Sequence, residues 1–277
     1  MVTTQCGGLL KGGLCVKRYK LIACKVLYRE ISLLTSHCEN FIDVTYLQQG
    51  LHDTPEVLRQ TLQDEIDRID ADTDIYSCSR AEGLDFDAIL LGYGLCSNAV
   101  CGLSSQKYKL VIPRAHDCIT LFLGSKERYR QYFDAHSGGV YWYTPGWNEC
   151  SLMPGKEYMD FMHRRYVEKY GEKKAALLMA HETWLEGYNT CAYVDWETLH
   201  LENHVQYAKA CADYLNVRFD LVKGDPALMR HFINGNWNPE DFFVLAPGQK
   251  VAASFDETIF EAEESTAATQ GNADDAH

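Results

Sequence analysis

Short hydrophobic runs alternate along this chain with longer segments in which hydrophobic residues recur every three or four positions. The short runs, such as AILL and LVI, are typical of strands buried on both faces, and the longer segments are typical of amphipathic helices. The predicted strands are Lys20–Val26, Phe41–Leu47, Phe86–Leu91, Lys109–Pro113, Val140–Thr144, Cys191–Asp195, Val217–Val222 and Phe242–Leu245. The predicted helices are Tyr28–His37, Asp53–Asp70, Ser125–His136, Lys156–Tyr170, Glu172–Glu186, Glu197–Leu215 and Asp225–Ile233.

Strands separated by helices indicate right-handed crossovers and a parallel sheet. We therefore predict an α/β fold with three layers, in which a mostly parallel sheet carries helices on both faces. The pattern is compatible with two similar lobes that meet near residue 150. The predicted organisation is a flexible leader (1–19), an α/β lobe with Cys- and His-containing loops (20–150), a second α/β lobe (151–255) and a disordered acidic tail (256–277).

The composition is that of an ordinary globular protein, with 46% hydrophobic and 23% charged residues among 277. The formal net charge is −13, and residues 256–277 hold seven acidic residues and no Lys or Arg. No basic stripe remains to contact phosphates, so we predict no nucleic-acid partner. The start of the chain is a poor signal peptide, and no apolar run reaches the roughly 18 residues of a membrane helix. We expect a cytoplasmic protein that does not associate with membranes.

The 11 cysteines are an odd number without an export signal, so we expect reduced thiols. No Cys-x-x-Cys pair occurs in the sequence, which argues against zinc ribbons and thioredoxin-like motifs. In open parallel sheets, ligands bind at the carboxyl ends of the strands. Five Cys and His residues lie at or after the ends of the first four predicted strands, namely Cys24, His52, Cys96, His116 and Cys118.

Soft thiolates together with imidazole favour zinc or iron over magnesium or calcium. We therefore predict a zinc site or an iron or iron–sulfur site whose ligands are Cys24, Cys96, His116 and Cys118. The residue types alone do not distinguish zinc from an iron–sulfur cluster.

The segment LGYGLCSNAVCGL follows the third predicted strand and contains two closely spaced glycines. Gly92 and Gly94 allow tight turns and a close approach of a ligand to the backbone. Cys96 precedes the start of a short helix, a position that favours the thiolate. The segment lacks the third glycine of a dinucleotide fingerprint and has no Gly-Lys-Ser/Thr, which argues against both nucleotide-binding motifs. A tight turn with buried cysteines is the structural alternative.

The segment RAHDCITLFLGSK follows the fourth predicted strand and is the second candidate loop. An extended backbone would place His116 and Cys118 on one side, while Asp117 caps a helix or fixes the His tautomer. The candidate substrate-binding residues are His52, Gly92, Gly94, Arg114 and Trp147. Trp147 ends an aromatic stretch suited to lining a pocket. His200 and His204 are four residues apart, which suits either a metal pair or an exposed helix face, and the role of Cys101 is open.

These two loops, together with YTPGW, carry a resemblance. LGYGLCSNAV, IPRAHDCITLFLGSK and YTPGW resemble, in the same order, the hallmark segments of the family called domain of unknown function 1638, from about Lys20 to Gln249. The resemblance implies a cytosolic protein of prokaryotic anaerobes that accompanies corrinoid-dependent methyl-transfer systems, so that a corrinoid or a methyltransferase is a candidate partner. It implies no catalytic residues. Cys96, His116, Cys118 and Trp147 stand at the motif positions.

Three hypotheses follow. The first is a zinc or iron protein that acts as an enzyme on a small ligand, with a link to corrinoid-dependent methyl transfer. The second is an enzyme without metal, in which Cys96 or Cys118 is the nucleophile and His116 the base. The third is a non-catalytic binding or accessory protein of a methyltransferase system. The substrate and the oligomeric state do not follow from the sequence.

Overall fold

The fold was analysed in a computed structural model. The structure describes residues 16–73, 85–96, 98–137, 139–181, 186–254, 256 and 258–264. Its strands are β1 (Arg18–Cys24), β2 (Phe41–Leu47), β3 (Ala88–Gly92), β4 (Leu110–Pro113), β5 (Val140–Tyr143), β6 (Thr190–Asp195), β7 (Arg218–Lys223), β8 (Phe242–Leu245), β9 (Gln249–Ala253) and β10 (Phe260–Glu264). Its helices are α1 (Tyr28–Thr35), α2 (Pro55–Asp70), α3 (Cys118–Leu123), α4 (Lys126–Ala135), α5 (Pro145–Cys150), α6 (Lys156–Tyr170), α7 (Glu172–Ala180), α8 (Glu202–Leu215) and α9 (Ala227–Asn234).

The larger sheet has the strand order β2-β1-β3-β4-β8. Its first four strands are parallel, and β8 is antiparallel to β4. Every residue of β1, β3 and β4 is buried, as expected for apolar strands covered on both faces. This arrangement confirms the predicted α/β class with a mostly parallel sheet.

One buried charged pair interrupts this apolar sheet. Lys20 of β1 and Asp43 of β2 are direct register partners, and Lys20 Nζ lies 3.3 Å from Asp43 Oδ1. The Lys20 side chain is 0% exposed. A buried charge is costly unless an opposite charge lies beside it. The pair therefore favours the strand register in which Lys20 of β1 lies beside Asp43 of β2.

Helix α2 shows how the sequence builds this part of the fold. Pro55 occupies its first turn and Glu56 lies near the positive end of the helix dipole. Its buried residues repeat at helical spacing, so one face packs into the core while the other stays polar (Leu58, Leu62, Glu65, Ile66, Ile69).

A second sheet of three parallel strands has the order β5-β6-β7, and β9 pairs with β10 as an antiparallel hairpin. Inner residues of β5 and β6 pack with α8 in one hydrophobic cluster (Tyr143, Met153, Cys191, Tyr193, Val205, Ala208, Cys211, Ala212). Within the described ranges, no helix combines the length and the apolar composition needed to cross a membrane.

The chain forms two compact units. The first comprises the described residues within 1–24, 37–118 and 231–277, and the second comprises those within 25–36 and 119–230. The predicted lobes, 20–150 and 151–255, are contiguous, whereas these units are assembled from separated stretches of chain. The division into lobes stays a prediction, because compact groups of contacts alone do not establish independently folding domains.

Both ends of the chain differ from expectation where they are described. Strand β1 begins at Arg18, inside the predicted leader, and most of that leader lies outside the described residues. Strand β10 lies inside the stretch predicted to be a disordered tail (256–277). Ile259 and Phe260 are buried there, and their hydrophobic burial accounts for the ordered strand. Residues 265–277 lie outside the described part of the chain.

Candidate functional site

The carboxyl ends of three adjacent parallel strands lie along one edge of the larger sheet. Cys24 is the last residue of β1, Gly92 ends β3 and Pro113 ends β4. The strand order places β1, β3 and β4 side by side. The loops after β3 and β4 therefore start next to each other and next to Cys24, at the edge where ligands bind in open parallel sheets.

Backbone hydrogen bonds join these two loops. The N–H of Leu95 donates to the carbonyl oxygen of Ala115 at 2.8 Å, and the N–H of Cys96 donates to that of His116 at 3.1 Å. A Cβ atom on Gly94 would lie 2.7 Å from the oxygen of Ala115, so only glycine fits there. Gly94 is thus required for the packing of the two loops.

Gly92 has a comparable role within the sheet. It is the register partner of Ala23, and a Cβ atom on Gly92 would lie 2.7 Å from the Cβ of Ala23. The glycine lets β1 and β3 approach closely. The contacts of Gly92 and Gly94 thus explain both glycines by packing, and their predicted contact with a substrate stays a prediction.

Three thiols at this edge act electrostatically on one buried tyrosine hydroxyl. Burial raises the pKa of Tyr93 well above its usual value, and the charges of Cys24, Cys96 and Cys118 raise it further. The three sulfur atoms therefore lie within electrostatic range of one hydroxyl, although they come from three different segments. We call Cys24, Cys96 and Cys118 the thiol cluster.

The Tyr93 hydroxyl is the unsatisfied polar group of this edge. The residue is 4% exposed, and its hydroxyl has no hydrogen-bond partner within the described part of the chain. Leaving a buried polar group without a partner costs about 1–3 kcal/mol. A bound group that accepted or donated a hydrogen bond there would recover this cost. Sequence analysis did not single out Tyr93, although its place between two glycines after a strand was the available signal.

Cys96 has an unusual backbone and a weakly acidic thiol. Its φ of 46° lies in the left-handed region, which is uncommon for residues other than glycine and recurs at functional sites. Burial raises the pKa of the Cys96 thiol to about 12, and the charges of Asp117 and Cys24 also raise it. The thiol is therefore protonated at neutral pH, in contrast to the easily ionised thiol predicted from the loop.

The two histidines predicted near the thiols are more exposed. The His116 side chain is exposed, while its carbonyl oxygen accepts the Cys96 hydrogen bond. His52 precedes α2, with Nε2 3.4 Å from Asp53 Oδ1. Across the residues that the structure describes, no three His, Cys, Asp or Glu side chains stand close enough together to hold a metal ion. The thiol cluster is therefore a gathering of soft donors rather than a formed coordination shell.

Arg114, a predicted substrate-binding residue, contacts the backbone before β8 and next to β10. Its Nε donates to the carbonyl oxygen of Pro239 at 2.9 Å, and its Nη1 donates to those of Thr258 and of Phe260, the latter at 3.0 Å. Its guanidinium also lies 5.3 Å from the centre of the Phe243 ring. These contacts are structural, and a contact of Arg114 with substrate stays a prediction.

The other candidate residues have separate surroundings. Trp147 belongs to the second unit and packs against its hydrophobic cluster, while its backbone N–H donates to Thr144 Oγ1. His200 lies before α8 and His204 within it, so they do not share a helix face as predicted. His200 Nδ1 lies 2.9 Å from Asp195 Oδ2, and His204 Nε2 lies 3.5 Å from Glu149 Oε1. Each histidine therefore contacts a different carboxylate.

A shallow pocket lies at the opposite, amino end of β3 and β4. It has a volume of about 480 Å³, and its lining includes Asp85, Lys107 and Tyr108. Lys107 Nζ forms ion pairs there with Asp85 at 2.9 Å and with Asp72 at 3.0 Å. The charge of Lys107 is thus already compensated, and the pocket lacks the thiols, so we do not assign it the candidate site.

Comparisons with known proteins give a family and no named relative. No curated protein matches the chain, and no solved structure matches it. A family described as protein of unknown function, DUF1638, matches residues 46–233. The matched region is more than half of the chain and contains Cys96, His116, Cys118 and Trp147, but not Cys24. The chain therefore belongs to the DUF1638 family.

Proposed function

We propose that this protein binds zinc or iron, as an ion or an iron–sulfur centre, through the thiol cluster and acts as an enzyme on a small ligand at that edge. Cys24, Cys96 and Cys118 would hold the metal, with His116 as a fourth ligand. Thiolate sulfur is the donor type that these metals prefer. Bound there, the metal would supply a Lewis acid with a coordination position for the ligand.

The observation that carries this proposal is that three thiols lie at the sheet edge that also holds one buried hydroxyl without a hydrogen-bond partner in the described residues. Cys24, Cys96 and Cys118 are distant in sequence, and the sheet order brings them to the same edge. If the three cysteines served only as small apolar packing residues, the buried Tyr93 hydroxyl that has no partner in the described residues would have no explanation.

The raised pKa of Cys96 favours this proposal over a metal-free nucleophile. A catalytic cysteine needs a lowered pKa, because the thiolate is the reactive form. Cys96 has the opposite shift. A metal, by contrast, displaces the proton when it binds and so tolerates a weakly acidic ligand.

Metal binding would require the thiol side chains to reorient. The described side chains do not form a set of three ligands, so we expect the cysteines to change rotamer when metal binds. His116 is exposed and has room to turn. The cytoplasmic setting and the link to corrinoid-dependent methyl transfer stay predictions, the latter based on the family resemblance alone.

The test is metal analysis of protein purified without oxygen, combined with a visible absorption spectrum. We expect about one equivalent of zinc in a colourless protein, or iron in a brown one. Cys24→Ser, Cys96→Ser and Cys118→Ser should each lower the metal content at least several-fold. Cys101→Ser is the matched control, because it lies in the same loop outside the thiol cluster, and it should keep the wild-type content.

A wild-type protein without stoichiometric zinc or iron, before and after incubation with either metal, would refute the proposal. In that case rapid alkylation of Cys118 alone would favour the metal-free nucleophile. Tight binding of a corrinoid without turnover would favour an accessory protein.

A further inference from the structure

The pocket at the amino end of β3 and β4 is built on a single sheet. Its walls come from the segments that precede β3 and β4 and from Pro247, which follows β8. Strand β8 is antiparallel to β4, so its carboxyl end lies beside the amino end of β4. The volume of about 480 Å³ falls within the range of small-molecule sites, roughly 300–1,000 Å³.

Both carboxylates in the lining of this pocket already have partners. Asp85 lies 2.9 Å from Lys107 Nζ. Asp87 Oδ1 accepts a hydrogen bond from Lys17 Nζ at 2.9 Å, and Asp87 Oδ2 accepts one from the backbone N–H of Arg18 at 2.8 Å. Both oxygens of Asp87 are therefore bound to the segment where β1 begins.

Lys109 also lines the pocket, and no carboxylate neutralises it by direct contact. Its Nζ lies 4.8 Å from the centre of the Trp237 ring, and in the described part of the chain it forms no ion pair. The face of an aromatic ring attracts an ammonium group but leaves its formal charge in place. The pocket therefore contains one ammonium group whose charge a ligand can balance.

Burial distinguishes the charge of Lys109 from the other charges around the pocket. Asp72 and Asp85 share Lys107, which leaves one negative charge in excess, but their side chains are 72% and 66% exposed, so water screens them. Lys109 is half-buried, and burial lowers its pKa despite the nearby charge of Asp87. A bound anion would recover part of the cost of removing this ammonium group from water.

The apolar part of the pocket wall is mainly aromatic. The rings of Phe86 and Tyr108 meet edge to face with their centres 6.2 Å apart, and Pro247 adds a third apolar side chain. The Tyr108 hydroxyl donates to Asp85 Oδ1 at 3.2 Å, so its hydrogen bond is already made. What this part of the wall offers a ligand is therefore contact with apolar surface, which suits a flat ring.

We propose that this pocket binds a small aromatic monocarboxylate, whose carboxylate pairs with Lys109 Nζ and whose ring packs against Phe86. One ammonium group matches a single negative charge. A phosphate group carries more negative charge, and the carboxylates of Asp85 and Asp87 in the same lining would repel it more strongly. This proposal does not depend on the metal proposed for the thiol cluster, which lies at the opposite end of the strands.

Benzoate is the probe, and benzamide is its control because it has the same ring and no charge. Titration calorimetry of the full chain measures the binding of each compound, and of inorganic phosphate, at equal ionic strength. We expect saturable binding of benzoate, at least tenfold weaker binding of benzamide, and no saturable binding of phosphate. The proposal is overturned if benzoate does not bind, or if benzamide or phosphate binds as tightly as benzoate does.

Two lysine variants locate the site. Lys109→Gln should weaken benzoate binding at least tenfold and still fold, because Lys109 is partly exposed and forms no ion pair in the described ranges; its thermal unfolding midpoint checks this. Lys209→Gln is the matched control, because it removes the same charge from an exposed position on α8 in the second unit, and it should keep the wild-type affinity. Unchanged affinity in Lys109→Gln, or an equal loss in both variants, would contradict the proposal.

Discussion

Cys96 and His116 are joined through their backbones, because the N–H of Cys96 donates to the carbonyl oxygen of His116 at 3.1 Å. This bond links the loop after β3 to the loop after β4. The positions of Cys96 and Cys118 are therefore set by the same junction, and a change at that junction should affect both.

Gly94→Ala tests the junction directly. The added Cβ would meet backbone atoms of Ala115 and Asp117 that cannot move away as a side chain can, so we expect a loss of about 1–3 kcal/mol in unfolding free energy. Urea unfolding measures this loss. Gly187→Ala is the control, since a Cβ there meets nothing within 4 Å, and it should change stability little. Equal effects of the two substitutions would show that the loops are not tightly joined.

The buried pair Lys20–Asp43 makes a second prediction. Asp43→Asn should cost about 3–5 kcal/mol, because it leaves a buried charge without its counterion. The double variant Lys20→Met with Asp43→Leu should recover most of that loss, since neither charge is then buried. Lys17→Met, which breaks a partly exposed pair with Asp87 at 2.9 Å, should cost less than about 1 kcal/mol. A double variant as unstable as Asp43→Asn would contradict this account.

Glu30 should make the stability of the protein depend on pH. Its folded pKa of about 8 lies above its usual 4.5, so the folded state holds this proton more tightly than the unfolded state does. The contribution of this proton to the unfolding free energy is complete below pH 4.5. It is lost as the pH rises toward 8, by at most about 1.4 kcal/mol per pH unit. Glu30→Gln carries no such proton. Between pH 5 and about 8, the unfolding free energy should therefore fall less steeply with pH in the variant than in the wild type. The same pH dependence in both proteins would refute the assignment.

Arg114 should secure the hairpin formed by β9 and β10. Arg114→Met removes the donors to the carbonyl oxygens of Pro239, Thr258 and Phe260, so we expect faster amide hydrogen exchange in Phe260–Glu264 and a loss of about 1–3 kcal/mol. Arg128→Met is the matched control, because Arg128 donates to the carbonyl oxygens of Leu123 and Lys223 in the second unit. It should leave exchange in Phe260–Glu264 unchanged.

The strands of the central sheet could be predicted well because their signal is local. Phe41–Leu47 and Phe242–Leu245 have the predicted bounds. Strand β10 could not be predicted, because two buried hydrophobic residues among acidic ones become a strand only through pairing with β9. The long helix predicted from Glu197 is a short turn at Glu197–Leu199 followed by α8. Tertiary context, rather than periodicity, decides such breaks.

The sequence was sufficient to predict which strand ends carry the candidate site residues. The order of strands and loops was enough to place Cys24, Cys96 and Cys118 at one edge, since parallel strands share their carboxyl end. The state of the side chains was not predictable, because the burial of Cys96 and the unpaired Tyr93 hydroxyl depend on how neighbouring segments pack.

Strand β8, which follows β4 much later in the chain, forms one edge of the larger sheet and runs antiparallel to β4. The ribosome therefore synthesises β4 long before β8, the strand that pairs with it. During that interval the nascent chain exposes unpaired backbone amides next to an apolar surface, which is a template for wrong pairing. A product truncated before Phe242 lacks β8, so the edge of β4 stays exposed and the product should aggregate. Translation errors late in this chain should therefore cause aggregation even when the earlier strands have folded correctly.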